Sequence, residues 1–205
     1  MAIIPAAEVK ITIPNRMLSL MRLLTSRGMK FEVPAGTSVK HFLHRFLTAD
    51  ESYIENSIQT VFMDCRAVDD MENTIIVGPC TIAVSAAMPG VFGAAFRKKG
   101  LYRGLRCGYT ETAGSREKED ADKPAVVTLK LFNKVAEELG GPVLARGIYI
   151  NAQDFAKFWE QHQEVIEKGC SRAIVDGKAA EPGQIPVLLE GKTGDIRLEV
   201  LTDRE

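Results

Sequence analysis

The sequence predicts an α+β chain in which one small unit, strands around a helix, occurs twice within 205 residues. Three observations lead there. Residues 126–141, VVTLKLFNKVAEELGG, alternate apolar and polar through Val127, Leu129 and Leu131, change to helical spacing through Val135, Ala136 and Leu139, and stop at Gly140-Gly141. Further on, AIVDGKAAEPGQ reads as a strand and tight turn, followed by a strand-like DIRLEVL. The same order of elements, more weakly marked, runs through the first half of the chain.

Composition supports two small cores: 45% of residues are hydrophobic, and the length divides into a first unit, 1–90, a basic arm with a charged linker, 91–124, and a second unit, 125–205. The most apolar early stretch, 17–24, is interrupted by Arg22 and falls far short of the roughly 20 residues that cross a bilayer. The start, MAIIPAAEVK, lacks the basic and apolar regions of a signal peptide, so no membrane and a cytoplasmic location are expected. There the scattered Cys65, Cys80, Cys107 and Cys170 stay free thiols.

In the first unit, residues 9–13 (VKITI) form a strand closed by Pro14, and residues 29–34 (MKFEVP) a second. Between them, apolar residues at 17, 18, 20, 21, 23 and 24 read as a short amphipathic helix or a wide hairpin arm, packed on its own sheet or serving as a docking patch. Thr37 or Ser38 caps a helix whose stripe is Val39, Phe42, Leu43, Phe46 and Leu47, with Lys40, His41, His44 and Arg45 on its solvated face. His41 and His44 lack a third metal ligand. Residues 60–63, 74–77 and 81–85 are strands, with a tight turn at Asp64-Cys65-Arg66.

From Met88 the character changes. MPGVFGAAFRKKGLYRGLRCGY sets Arg97, Lys98, Lys99, Arg103 and Arg106 among Phe96, Tyr102 and Tyr109, with Gly90 and Gly93 before them. Basic residues interleaved with aromatics can stack on single-stranded nucleic acid. A net charge of −1 gives the whole chain no such footprint, and a solvated arm or a strip docking against an acidic partner fits better. The next residues, TETAGSREKEDADKP, have the composition of a flexible linker.

In the second unit, Gly140-Gly141 serves the first hairpin, 145–150 (ARGIYI) is a strand, and Asn151 caps a helix burying Phe155, Phe158, Trp159 and Val165 or Ile166. His162 reads as a structural histidine. Residues 173–175 and 196–201 are strands, with a turn at Asp176-Gly177. Set side by side, Asp64 answers Asp176, Ile82 answers Ile196, and residues 9–13 answer 127–131.

TLKLFNKVAEELGG, a capped helix, VDGKAAEPGQ, GKTGD and IRLEVL together resemble the ubiquitin-like β-grasp family of sulfur carriers for molybdopterin and thiamine synthesis. The resemblance covers residues 126–201 and, more weakly, 9–90. It implies two tandem β-grasp copies. In that family a Gly-Gly tail is adenylated by an E1-like enzyme and converted to a thiocarboxylate. Here the second unit ends LEVLTDRE, charged and without a terminal glycine at Glu205. The first unit has a closer echo, IAVSAAMPG, but a carboxylate there needs cleavage after Gly90 or Gly93.

The reading is therefore a non-catalytic binding protein without a cofactor, meeting a protein partner through Met88, Pro89, Gly90, Gly93, Phe96, Arg97, Lys98, Lys99, Tyr102, Arg103 and Arg106. The resemblance points to molybdenum or tungsten cofactor or sulfur metabolism, with an E1-like or cofactor-synthesis enzyme as partner. Alternatives are a sulfur carrier or ubiquitin-like modifier activated by cleavage near Gly90 or Gly93, nucleic-acid binding through the arm, and a homo-oligomer. The sequence holds no nucleophile–base pair at recognisable spacing, no phosphate-binding glycine loop, no HExxH and no cluster-binding cysteine motif.

Overall fold

The structure, a computed structural model, describes residues 3–106, 108–111 and 124–203. Cys107, most of the expected linker and the Glu205 terminus lie outside the described residues. Among the described residues twelve strands follow in chain order: β1 (Glu8–Pro14), β2 (Met29–Val33), β3 (Thr37–Ser38), β4 (Thr60–Met63), β5 (Arg66–Ala67), β6 (Ile75–Ile76), β7 (Cys80–Ser85), β8 (Ala125–Phe132), β9 (Ile148–Asn151), β10 (Arg172–Val175), β11 (Lys178–Ala180) and β12 (Asp195–Asp203). The protein is α+β, with mixed sheets. Described residues among Lys30–Gly140 form one compact unit, and those among Ile3–Met29 and Gly141–Glu205 form another.

Unit 1 orders its strands β2–β8–β7–β4–β5, with β7 parallel to β8 and antiparallel to β4. Residues 75–76 leave this sheet and pair with β3 instead. The helix Val39–Leu47 begins where the Ser38 hydroxyl accepts the His41 N–H, and its Val39, Phe42, Leu43 and Leu47 are buried. Phe31 of β2 meets Phe42 and Phe46 of this helix at centroid distances of 6.3 and 4.7 Å, which fixes the helix against the sheet.

Unit 2 orders its strands β11–β10–β1–β12–β9, with β1 parallel to β12. Asn151 accepts the Gln153 and Asp154 N–H groups and starts the helix Ala152–Gln161, which buries Phe155, Phe158 and Trp159. Ile166, not Val165, completes the stripe. His162 is structural: its Nδ1 lies 2.9 Å from the Phe158 carbonyl and its ring stacks on Phe158. Residues 17–24 form short helical turns that bury Met17, Met21 and Leu24 in this unit.

The two units share a hairpin and its register, in a correspondence that differs from the sequence alignment. Asp64-Cys65 and Asp176-Gly177 are two-residue hairpin loops with positive φ at all four residues, namely 46°, 66°, 49° and 78°. Asp64 Oδ1 accepts the Thr81 N–H at 2.8 Å, and Asp176 Oδ1 accepts the Glu8 N–H at 2.8 Å. In return, the Asp64 and Asp176 N–H groups donate to the Thr81 and Glu8 carbonyls. Glu8 thus stands where Thr81 stands, and the registers extend the match: Met63 and Leu129 flank Ile82 as Val175 and Leu198 flank Val9.

Two expected equivalences are corrected by this. Ile82 matches Val9 rather than Ile196, and Leu129 in 127–131 matches Leu198 rather than a residue of 9–13. The strand beside the hairpin is β7 in unit 1 but β1 in unit 2; its parallel neighbour is β8 in one and β12 in the other. Parallel neighbours with the same alternation can trade places without turning a core side chain to solvent, so the apolar pattern does not choose between them. Each half's opening strand is built into the other's unit, and the compact units differ from a 1–90 and 125–205 division.

The Gly pair is a second correction. The helix Asn133–Arg146 runs through Gly140, Gly141 and Pro142 and stops at Gly147, φ 88°. Gly141 is buried so closely that an added Cβ would lie 2.8 Å from Leu18 Cδ2. Pro142 is on the exposed side, where its missing N–H leaves a carbonyl within reach of solvent. Burial of Val135, Val143 and Leu144 overrides the weak local propensity of the glycines.

Candidate functional site

Residues 88–111 return over unit 1. Beyond Met88 and Pro89 the chain forms the helix Gly90–Phe96, then a 3-10 turn, Leu101–Leu105. Gly93 permits the first fold: a Cβ there would lie 1.9 Å from the Met88 carbonyl oxygen. Phe96 packs on Phe62 at 5.3 Å and carries Phe92 at 4.5 Å.

Three polar anchors hold the segment down. Lys98 Nζ donates to the Ile54 and Glu55 carbonyls at 2.9 and 3.2 Å, capping the end of the helix Glu51–Asn56. Burial pushes the Lys98 pKa down, with neighbouring Lys99 adding to the effect. Arg106, whose side chain is 0% exposed, donates to both Asp69 oxygens at 3.0 and 3.1 Å and to the Ala95 and Arg97 carbonyls at 2.7 and 3.0 Å. Finally, Ala67 donates to the Tyr109 carbonyl and accepts from the Glu111 N–H, both at 2.8 Å, so residues 109–111 lie as a short parallel strand on the β5 edge.

The arm is therefore latched, not solvated. Gly93 and Arg106 are buried scaffold, and Lys98, Phe96 and Met88 are half-buried. Pro89, Gly90, Arg97, Lys99, Tyr102 and Arg103 remain exposed. Among them stand apolar side chains that the sequence reading passed over: Val91, Phe92, Leu101 and Leu105, with Leu101 98% exposed. Their signal was the absence of any helical or strand period in a glycine-broken apolar run. Asp69 was missed because nothing local ties it to Arg106.

Beneath the arm lies an open cleft of ≈ 670 Å³ lined by Lys40, Glu55, Asn56, Gln59, Asp69, Asp70, Met71, Glu72, Lys98, Lys99 and Arg103. Lys40 Nζ meets Glu51 at 2.5 Å, Glu72 at 3.1 Å and Glu55 at 3.6 Å. Lys40 donates hydrogen bonds to Glu51 and Glu72, which raises its pKa above the ordinary lysine value, and the contact with Glu51 lowers that carboxyl. The cleft matches cations with carboxylates and carries no strong field of one sign.

His41 and His44 are exposed on the outer helix face, and the described residues contain no group of three His, Cys, Asp or Glu placed to hold a metal. Cys65 is exposed, Cys80 buried and Cys170 partly buried; none of the three is in a disulfide, and burial raises the Cys170 thiol. No helix among the described residues is long and apolar enough to cross a membrane. No family model, curated protein or solved structure matches the chain.

Proposed function

We propose that this chain is a non-catalytic binding protein built of two β-grasp-like units, whose latched arm docks an acidic protein partner. The observation that carries the reading is the division of labour within residues 88–111. Buried Arg106 and Gly93 fix the arm, while Phe92, Leu101, Tyr102, Leu105 and Tyr109 stand exposed beside the exposed cations Arg97, Lys99 and Arg103. Aromatic and aliphatic anchors ringed by arginine suit a protein interface. A mixed five-stranded sheet in each unit, with a parallel pair that includes the central strand and a capped amphipathic helix burying an apolar stripe, supports the β-grasp reading. The sequence resemblance points to molybdenum or tungsten cofactor or sulfur metabolism, with an E1-like or cofactor-synthesis enzyme as the proposed partner.

A carrier reading fits less well. Gly90 opens a helix and Gly93 is buried within it, so freeing a carboxylate at either requires unwinding the latched arm. Nucleic-acid binding also loses ground, since Arg106 and Lys98 are engaged with Asp69 and backbone carbonyls.

The test is site-specific photocrosslinking from position 101 of the full chain in its own cells, with intact mass measured in parallel. A full-length chain forming one discrete adduct, lost in Arg103→Glu, is expected. No adduct above background would overturn the docking reading, and a fragment ending at Gly90 or Gly93 would restore the carrier.

A further inference from the structure

We propose that the β11 edge of unit 2 accepts an added strand: an extended segment of another protein, laid parallel to β11, with an acidic residue level with Lys178. The inference does not depend on the arm's partner, because it concerns the other unit.

It comes from the matched hairpins. Their equal two-residue loop lengths and matching registers put Ala179 at the position of Ala67. At that position the pairing with Ile174 or Phe62 is the widely spaced kind, so both backbone groups point away from the hairpin partner. In unit 1 those groups are occupied by Tyr109 and Glu111, and Ala67 is 1% exposed. In unit 2, Ala179 is exposed, β11 ends the strand order, and among the described residues no group meets its N–H or C=O. The protein thus shows on one unit the strand addition that the other leaves open.

The occupant's chemistry follows from the same geometry. The cover in unit 1 is parallel, with Thr110 beside Ala67, so a guest residue one place before the bridge comes level with the residue before Ala179. That residue is Lys178, exposed and without an ion pair among the described residues. Parallel strands run about 4.8 Å apart, within reach of an acidic guest side chain. Ala179 and Ala180 add no bulk at the seam. Main-chain bonds supply the affinity and the acid sets the register.

The test uses the full chain, uniformly labelled, and the acetylated peptide GDTETA as probe, read by amide shifts and hydrogen exchange. Saturable shifts confined to residues 172–181 and at least threefold slower exchange at Ala179 are expected at millimolar peptide. Both should vanish in Ala179→Pro, a change an edge strand tolerates because this N–H faces outward, and weaken in Lys178→Glu. The variant's unchanged remaining spectrum separates loss of the edge from loss of the fold. Absence of saturable shifts, or shifts centred on β5, would overturn the proposal. So would concentration-dependent dimerisation abolished by Ala179→Pro, which would assign the edge to a second copy.

Discussion

The Arg106 guanidinium, with none of its side chain exposed, holds both carboxylate oxygens of Asp69, the one side-chain ion pair among the three anchors that tie the arm to the body of unit 1 in the described residues. Removing the carboxylate leaves a buried cation with only two backbone carbonyls. Asp69→Ala is expected to destabilise the protein by about 3 kcal/mol. Limited trypsin digestion should then cut at Arg97, Lys98 or Lys99 before the rest of the chain. Denaturant midpoints and fragment masses read both effects; unchanged cleavage would show that the arm is held elsewhere.

The two hairpin loops make opposite demands on substitution. Cys65 bears a side chain at φ 66°, a conformation that disfavours L residues, whereas Gly177 occupies the same place freely. Cys65→Gly should stabilise by about 1 kcal/mol, and Gly177→Ala, whose new Cβ meets nothing within 4 Å, should destabilise by a similar amount. Urea titrations of the two variants are the check, and effects of the same sign would contradict it.

Strand exchange predicts how the chain tolerates division. A piece spanning residues 1–111 lacks β8, whose Leu129 and Leu131 are fully buried in unit 1, and a piece spanning 124–205 lacks β1. Neither piece alone should unfold cooperatively; expressed together they should co-purify and regain a single transition. Cooperative unfolding of either piece by itself would defeat this expectation.

Stability should fall on the acid side. Glu51, Asp70 and Glu138 titrate below their ordinary values, held chiefly by Lys40, Asn73 and Tyr53 respectively. A depressed carboxyl stabilises the fold above its unfolded value and loses that contribution as pH falls through the folded one. The thermal midpoint is therefore expected to decline below the unfolded values of 4.5 and 3.8. Glu138→Gln should flatten part of the decline. On the alkaline side, Lys40 is raised by Glu51 and Glu72, so its contribution persists through 10.5 and is lost only as pH rises further.

Much of this architecture is legible along the chain. The caps at Ser38 and Asn151, the stripes Phe42-Leu43 and Phe155-Phe158-Trp159, and the Asp-led turns are local patterns, and the structure keeps each of them. What is not local is not legible. Nothing in the alternation of Val9, Ile82, Leu129 or Leu198 says which parallel neighbour each will take, because all present the same face. Gly140-Gly141 spells a stop that packing against Leu18 overrules. In the arm, five cations looked alike until Asp69 and the end of the helix Glu51–Asn56 claimed Arg106 and Lys98.

The pairing of Glu8 with Arg197 also sets the timetable of synthesis. β1 can take its parallel neighbour only after residues 197–203, almost two hundred positions further along, have left the ribosome. Until then Val9, Ile11 and Ile13, all buried in the finished protein, are without that neighbour. The strands of unit 1 are all present once β8 has emerged, so that sheet can close first, while β1 stays exposed to holding factors or to misassembly.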